Sequence, residues 1–340
     1  MTLLLDPSKA NWLDQVLSIF ETDEPVALPT ETVYGLAAPI DRPRALARIF
    51  ELKQRPEFNP LIIHVKKDWN LEEWVEWQSI IEKKLVEDFW PGPLSILLKK
   101  TPKVPDLCTA SSPFVVMRAP SNPFFQKVLE TLGVPLAAPS ANTSTQTSPT
   151  SAMRVLEDLG QASLKAVVDG GRCPLGLEST IVRVREGCVE ILREGAISRE
   201  QFIEQGYKLI SSSAHSVNTP GQQAKHYSPK IPLVFAQSVE SWLGFHPESL
   251  EIPYLDKNKA ILFLKILESD APDSIPNSGV KNYEMRILDQ SDSLMAAHEL
   301  FEVMRWAEKK YAMIVALKTE ERGVGMAIND RLLRASSFKI

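Results

Sequence analysis

Glycine is scarce in this chain, 15 of 340 residues against 25 prolines. No GxxxxGK[ST] occurs, which excludes a Walker-type phosphate loop. Gly323 and Gly325 begin a GxG, but no third glycine follows at the dinucleotide-binding spacing. HExxH and GxSxG are absent as well, so neither a zincin nor an α/β-hydrolase nucleophile is in view. The three cysteines, Cys108, Cys173 and Cys188, form no CxxC pair, which excludes a zinc ribbon and a disulfide framework. No apolar run approaches 18 residues, and MTLLLDPSKANW lacks a basic n-region and a long apolar core. The expectation is a cytoplasmic protein with reduced thiols and no membrane partner. Nor is there an excess of positive charge. Lys and Arg number 38 against 43 Asp and Glu, net −5, which argues against a non-specific nucleic-acid coat.

What is present is ordinary globular composition, 44% hydrophobic and 24% charged, at a length that favours two domains. Residues 1–206 alternate helical and strand patterns. A helix is expected from Pro7-Ser8 to about Thr22, and another from Asp41-Pro43 with Ala45, Leu46, Ile49 and Phe50 on one face. A long amphipathic helix is expected from Asn70 to Phe89. Asn122-Pro123 opens a helix that Gly133 ends, and Gly160 closes another that starts near Ser151. Strands are expected at 25–29, 61–65, 94–99, 114–118, 134–139 and 165–169, with a hairpin around Glu186-Gly187. Ser198 caps a last short helix. Residues 207–231 carry no period and read as a linker, unusual in holding Lys225, His226 and Tyr227 side by side. A second α/β pattern fills 232–340, with four strands and a helix over about 291–310. The fold class is α/β, a larger first domain followed by a smaller Rossmann-like one.

Four polar stretches interrupt or flank the apolar strands of the first domain. They are LPTETVYGL (28–36), KQRPEFNPLIIHV (53–65), APSANTSTQTSPTSA (138–152) and GGRCPLGLEST (170–180). Strand-end loops of an open α/β sheet are where ligands bind. Hydroxyls and backbone amides there can hold phosphate oxygens without glycine. Arg118 and Arg193 end the strands FVVMR and EILR, and with Lys53 and Arg55 make four candidate anion contacts. Each has a plainer reading. Lys53 and Arg55 also suit a helix C-terminus, His64 suits a core histidine, and the two strand-end arginines suit salt bridges. Trp69, Trp74 and Trp77 suit packing better than base stacking. From residue types alone, the chain is an α/β protein that binds an anionic small molecule.

Together these stretches resemble one family. PTETVYGL, KQRPEFNPLIIHV, FWPGPLSILLKK, VVMRAP, PLAAPSAN with SPT, GLESTIV and ILREG are similar, in order, to the motifs of the YrdC-type threonylcarbamoyl-AMP synthases. HYSP (226–229) and RGVGMAINDRLLRAS (322–336) resemble the longer, two-domain form. Departures are GLAAP for a common GLGA, no Gly-Arg before SPT, and Glu194 where Pro is common.

The resemblance implies a twisted mixed sheet around a deep basic cavity. It also implies a reaction, in which L-threonine, bicarbonate and ATP give threonylcarbamoyl-adenylate and pyrophosphate. Mg²⁺ would be bound chiefly through ATP. The product would serve threonylcarbamoyladenosine modification of tRNA through a transferase complex, with direct tRNA contact possible. By motif, Thr32, His64, Arg118, Ala138 and Ser179 are expected on the threonine side. Lys53, Arg55, Asn59, Ser140, Ser148, Arg193 and Tyr227 are expected on the ATP side, with Phe114 contributing backbone. Lys53 and Arg55 are the expected catalytic cations, and no metal-ligating residue is expected. Two alternatives are a non-catalytic RNA-binding module using the same cavity and a carbamoyl-adenylate enzyme of hydrogenase maturation. The second expects CxxC pairs that this chain lacks.

Overall fold

Short β-branched and aliphatic runs separated by proline-rich turns favour strands over long helices in the first two hundred residues. The computed structural model describes residues 1–211, 220, 226–238, 241, 261–266, 283–288 and 293–340. The chain divides into two compact units. The first comprises residues 1–144 and 148–222, the second 145–147 and 223–340. Most of the stretch read as a linker, 212–219 and 221–225 with Lys225, lies outside the described residues.

The first unit is built on a twisted mixed sheet. The strands that position the site are β3 (Gly35–Pro39), β4 (Ile62–His64), β6 (Leu94–Lys100), β7 (Phe114–Arg118), β8 (Leu136–Ala137), β10 (Thr180–Arg185) and β11 (Cys188–Arg193). They lie in the order β3-β8-β4-β7-β6-β10-β11. β4 runs parallel to β7, with Ile62 opposite Val116 and His64 opposite Arg118. β7 pairs antiparallel with β6, Val116 opposite Leu97. β6 runs parallel to β10, Ser95 opposite Ile181. Because side chains alternate along a strand, these registers put His64, Arg118 and Ser95 in one row on one face. Ile62, Val116 and Leu97 form the next row. With Ile181 and Leu192 these make a small apolar cluster of their own, 0–8% exposed, apart from the main core.

Local signals in the sequence explain several helices. α5 (Pro123–Leu132) is capped by Asn122, whose Oδ1 accepts from the Phe124 and Phe125 amides, and ends on Gly133 at φ 70°. α7 (Arg199–Glu204) starts with a capping box between Ser198 and Gln201.

Three expectations need correction. α1 (Trp12–Glu21) starts four residues after Ser8, because the Ser8 amide donates to Asp6 Oδ1 and holds a turn there. The expected helix from Asn70 is three elements: a 3₁₀ turn at Leu71–Glu73, β5 (Val75–Glu76) and α3 (Ile80–Phe89). β5 pairs with the end of β6, and Ser79 with Glu82 forms a capping box that restarts the helix. α6 (Ala152–Leu159) ends at its expected cap, Gly160, which leads into a 3₁₀ turn that stops at Ser163, φ 67°. The stretch 134–139 narrows to two strand residues, Leu136 and Ala137.

The second unit contains a parallel five-stranded sheet. Its strands are β13 (Leu233–Ala236), β14 (Ile261–Ile266), β15 (Tyr283–Leu288), β16 (Met313–Leu317) and β17 (Phe338–Lys339), ordered β15-β14-β16-β13-β17. The two described helices are α8 (Ser293–Lys310) and α9 (Gly325–Ala335). α9 and β17 carry no expectation from the sequence. Among the described residues, no helix is long and apolar enough to cross a membrane.

Candidate active site

At the C-terminal end of β7, Arg118 is 3% exposed and its guanidinium is engaged on three sides. Nε donates to the Gly92 carbonyl at 3.2 Å and Nη1 to Thr32 Oγ1 at 2.9 Å. Nη2 pairs with Glu31 Oε1 at 2.7 Å. The other Glu31 oxygen accepts from the Ser121 amide at 3.1 Å. Thr30 ties the PTET turn together, its Oγ1 2.8 Å from Thr32 Oγ1 and donating to the Val33 carbonyl at 2.7 Å. An arginine fork held this firmly is preorganised to meet a carboxylate with its remaining N–H groups.

His64, opposite Arg118, is buried beside the Phe125 ring at 5.0 Å between centroids. Burial, and then the charge on Arg118, push its pKa down to about 3, so the imidazole is neutral at physiological pH. Its Nδ1 finds no hydrogen-bond partner among the described residues. Ala138 follows β8 on the neighbouring strand, its amide donating to the Ile62 carbonyl at 2.9 Å.

Ser179 stands where β10 begins. Its hydroxyl lies 2.7 Å from Ser95 Oγ and accepts from Arg193 Nη2 at 3.0 Å. Arg193 also donates to the Ser179 carbonyl through Nε and Nη2, and to the Pro220 carbonyl through Nη1 at 3.1 Å. The chain returns from Arg193 under the EST turn at Gly195. A Cβ there would fall 2.4 Å from the Thr180 amide nitrogen and 2.6 Å from the Glu178 carbonyl oxygen. This close approach requires glycine.

The KQRP stretch starts on α2 (Pro43–Lys53), with Gln54 as its left-handed C-cap. Lys53 is 1% exposed, and its Nζ donates to the carbonyls of Ser140 at 2.5 Å and Asn142 at 2.6 Å. Burial, then the nearby Arg55, push its pKa well below the usual lysine value, while the carbonyl contacts suit the charged ammonium. Arg55 donates to the carbonyls of Asn59 at 3.1 Å and Pro60 at 2.7 Å. Both cations therefore fix the backbone of their own wall. Asn59 is 2% exposed, and its Nδ2 finds no hydrogen-bond partner among the described residues. In the hydroxyl-rich loop, Ser140 Oγ donates to Asn142 Oδ1 at 2.6 Å, and Ser148 donates to Glu178.

The first unit thus brings together one group around Arg118, Thr32, His64 and Ala138. A second holds Ser179 and Arg193, a third Lys53, Arg55, Asn59 and Ser140, and Ser148 joins the EST turn through Glu178. Phe114 opens β7 on the face of Val116 and Arg118 and is 37% exposed. Tyr227 lies in the second unit, 1% exposed, with its ring against Phe301 and below Arg331. Glu31, Ser95, Asn142 and Glu178 were not among the expected site residues. Ser95 had a signal, a polar residue at an inward position of an otherwise apolar strand; it is 0% exposed.

Among the described residues, no three His, Cys, Asp or Glu side chains gather to hold a metal ion.

The family described as telomere recombination, named for Sua5, YciO and YrdC, matches residues 18–195. The family described as the threonylcarbamoyl-AMP synthase C-terminal domain matches residues 188–337. The threonylcarbamoyl-AMP synthase of Pyrococcus abyssi is 32% identical over 93% of this chain and 91% of its own length. That of Bacillus subtilis is 30% identical over 96% and 93%. A crystal structure of P. abyssi Sua5 complexed with L-threonine superimposes with TM-score 0.81 at 29% identity, covering 100% of this chain and 99% of that one. A second structure of the same protein, with a histidine and the following tyrosine both changed to alanine, gives TM-score 0.82 at 28% identity, over 100% and 98%. The chain belongs to the threonylcarbamoyl-AMP synthase family, and is an enzyme of that family carrying both of its domains.

Proposed function

We propose that the enzyme makes threonylcarbamoyl-adenylate from L-threonine, bicarbonate and ATP, releasing pyrophosphate. The observation that carries this reading is the Arg118 fork, aligned by Glu31 and Thr32 and flanked by the neutral His64. That arrangement suits an amino-acid carboxylate beside an uncharged pocket wall. The threonine complex of the P. abyssi relative supports it.

The chemistry needs no protein nucleophile. The threonine amine adds to bicarbonate and water leaves, giving a carbamate. A carbamate oxygen then attacks the α-phosphorus, the bond to the bridging oxygen breaks, and pyrophosphate departs with that electron pair. Aligning three anions can supply several kcal/mol of barrier reduction. In this reading Lys53, Arg55 and Arg193 stabilise charge on the phosphates, and Asn59, Ser140 and Ser148 hold the nucleotide. Arg118, Ser179, Thr32, His64 and Ala138 hold threonine or its carbamate. Phe114 contributes backbone, and Tyr227 is assigned to the nucleotide side.

The carboxylates nearest these groups are committed, Glu31 to Arg118 and Ser121, Glu178 to Ser148. This donor set fits a Mg²⁺ that arrives on ATP and keeps its waters. When bound, the ion would neutralise phosphate charge. A cytoplasmic transferase complex acting on tRNA would consume the adenylate. The family does not favour a non-catalytic RNA-binding role.

The test is incubation with ATP, Mg²⁺, bicarbonate and labelled threonine. Pyrophosphate release that requires both threonine and bicarbonate, with an adenylate of matching mass, is expected. Release without threonine would sink the reading.

A further inference from the structure

Ser140 and Ser148, the two serines assigned to the nucleotide side, each spend their hydroxyl proton inside the protein. Ser140 Oγ donates to Asn142 Oδ1 at 2.6 Å. The Lys53 ammonium, 3.5 Å from the same Oδ1, fixes which end of the Asn142 amide faces that way, because a cation repels the NH₂ end. Ser148 donates to Glu178 Oε1. Asn142, Ser148 and Glu178 are all buried, and all four residues lie in the first unit.

A hydroxyl has one proton and two lone pairs. With the proton committed, each serine meets a ligand only as an acceptor. Among the described residues, neither oxygen accepts a hydrogen bond from the protein. Turning the Ser148 proton toward a ligand would give up a bond to a carboxylate. Such a bond is of the strong, charge-assisted kind, the equal of one to phosphate.

ATP offers both kinds of partner. Its phosphate oxygens are acceptors. Its donors are the ribose 2′- and 3′-hydroxyls and the adenine 6-amino group. A serine that can only accept does not hold phosphate, but it does hold a nucleoside donor. We infer that Ser140 and Ser148 read donor groups of the nucleoside, and that Asn142 and Glu178 are the positioning residues that turn them that way. This rests on the reading above that both serines face ATP, and it leaves the phosphates to the cations.

The test measures dissociation constants for four Mg-nucleotides: ATP, 2′-deoxy-ATP, 3′-deoxy-ATP and inosine triphosphate, which carries oxygen in place of the 6-amino group. The wild-type full chain is compared with Ser140→Ala and Ser148→Ala. Each alanine variant is expected to bind ATP roughly three- to tenfold more weakly, as for loss of one neutral hydrogen bond. For one of the three analogues that penalty is expected to shrink to within about twofold, because the donor has already gone. The analogue concerned identifies the donor as a ribose hydroxyl or the adenine amino group. A penalty equal for all four nucleotides at either serine overturns the inference and leaves the serine's contact with ATP standing. No penalty with ATP removes that serine from the nucleotide side, and the inference with it. Glu178→Gln, which keeps an acceptor, is expected to match the wild type. Glu178→Leu is expected to weaken ATP and to lose the preference for ATP over the analogue that Ser148→Ala identifies. A Glu178→Leu protein that discriminates the nucleotides as the wild type does overturns the positioning role. Should Glu178→Leu not fold, the serine comparison decides alone.

Discussion

Arg118 and Glu31 form an ion pair, Nη2 to Oε1 at 2.7 Å, with side chains 4% and 9% exposed. The same carboxylate accepts from the Ser121 amide, so Glu31 joins the PTET turn to the residues following β7. Removing it leaves a buried guanidinium without its counter-charge. Glu31→Ala is expected to destabilise the first unit by about 3–5 kcal/mol. Glu31→Gln retains an acceptor for Arg118 and is expected to cost less. Denaturant midpoints of the two variants check this; a Glu31→Ala midpoint within experimental scatter of the wild type would show that the pair does not hold the turn.

Ser95 reaches the site through Ser179, 2.7 Å away. Ser95→Ala removes that hydroxyl contact and leaves Arg193 donating to the Ser179 hydroxyl. One neutral hydrogen bond is worth about 1 kcal/mol. The KM for threonine is therefore expected to rise about fivefold while the KM for ATP moves little. Steady-state kinetics with each substrate varied in turn separates the two, and a rise confined to ATP would contradict the assignment.

Gly195 offers a sharper geometric test. Every atom nearest its added Cβ is backbone of the EST turn, so no side chain can swing aside. Gly195→Ala must push the turn, moving Ser179 relative to Arg193. Overpacking of this kind costs about 1–3 kcal/mol, and a shift near 1 Å in a positioned group can cost about 100-fold in rate. The expected outcome is a folded protein with kcat depressed far more than stability. Full activity would show that the turn has room the close contacts deny.

Much of this was legible in the sequence because it is local. Asn122 and Gly133 marked both ends of α5, and alternating aliphatics marked β6 and β7. What was not legible depends on register. Lys53 and Arg55 read as cations for phosphate, yet each donates to backbone carbonyls, of Ser140 and Asn142 or Asn59 and Pro60. Those partners include residues 87 and 89 positions along the chain, which no spacing rule connects. Glu31 and Glu178 sat inside the quoted motifs, but only the fold shows that they face Arg118 and Ser148. The break between Asn70 and Phe89 was hidden because Leu71, Trp74 and Val75 keep a helical period while β5 pairs with Lys99 and Lys100.

His64 gives a pH prediction with a definite sign. Burial and Arg118 hold its folded pKa at about 3, against 6.5 for an exposed histidine. Between those values the unfolded chain binds a proton that the folded chain refuses. Stability from this residue is therefore full above pH 6.5 and is lost as pH falls toward 3. Each pH unit between those values removes up to about 1.4 kcal/mol of stability. Other groups titrate over the same range, so the wild-type curve alone does not isolate the imidazole. His64→Gln, which cannot take a proton, isolates the effect. Its stability relative to wild type is expected to improve steadily from pH 6.5 to pH 4, whatever its offset at neutral pH. A difference that stays constant over that range would show that the imidazole is reached by water or charged within the folded protein.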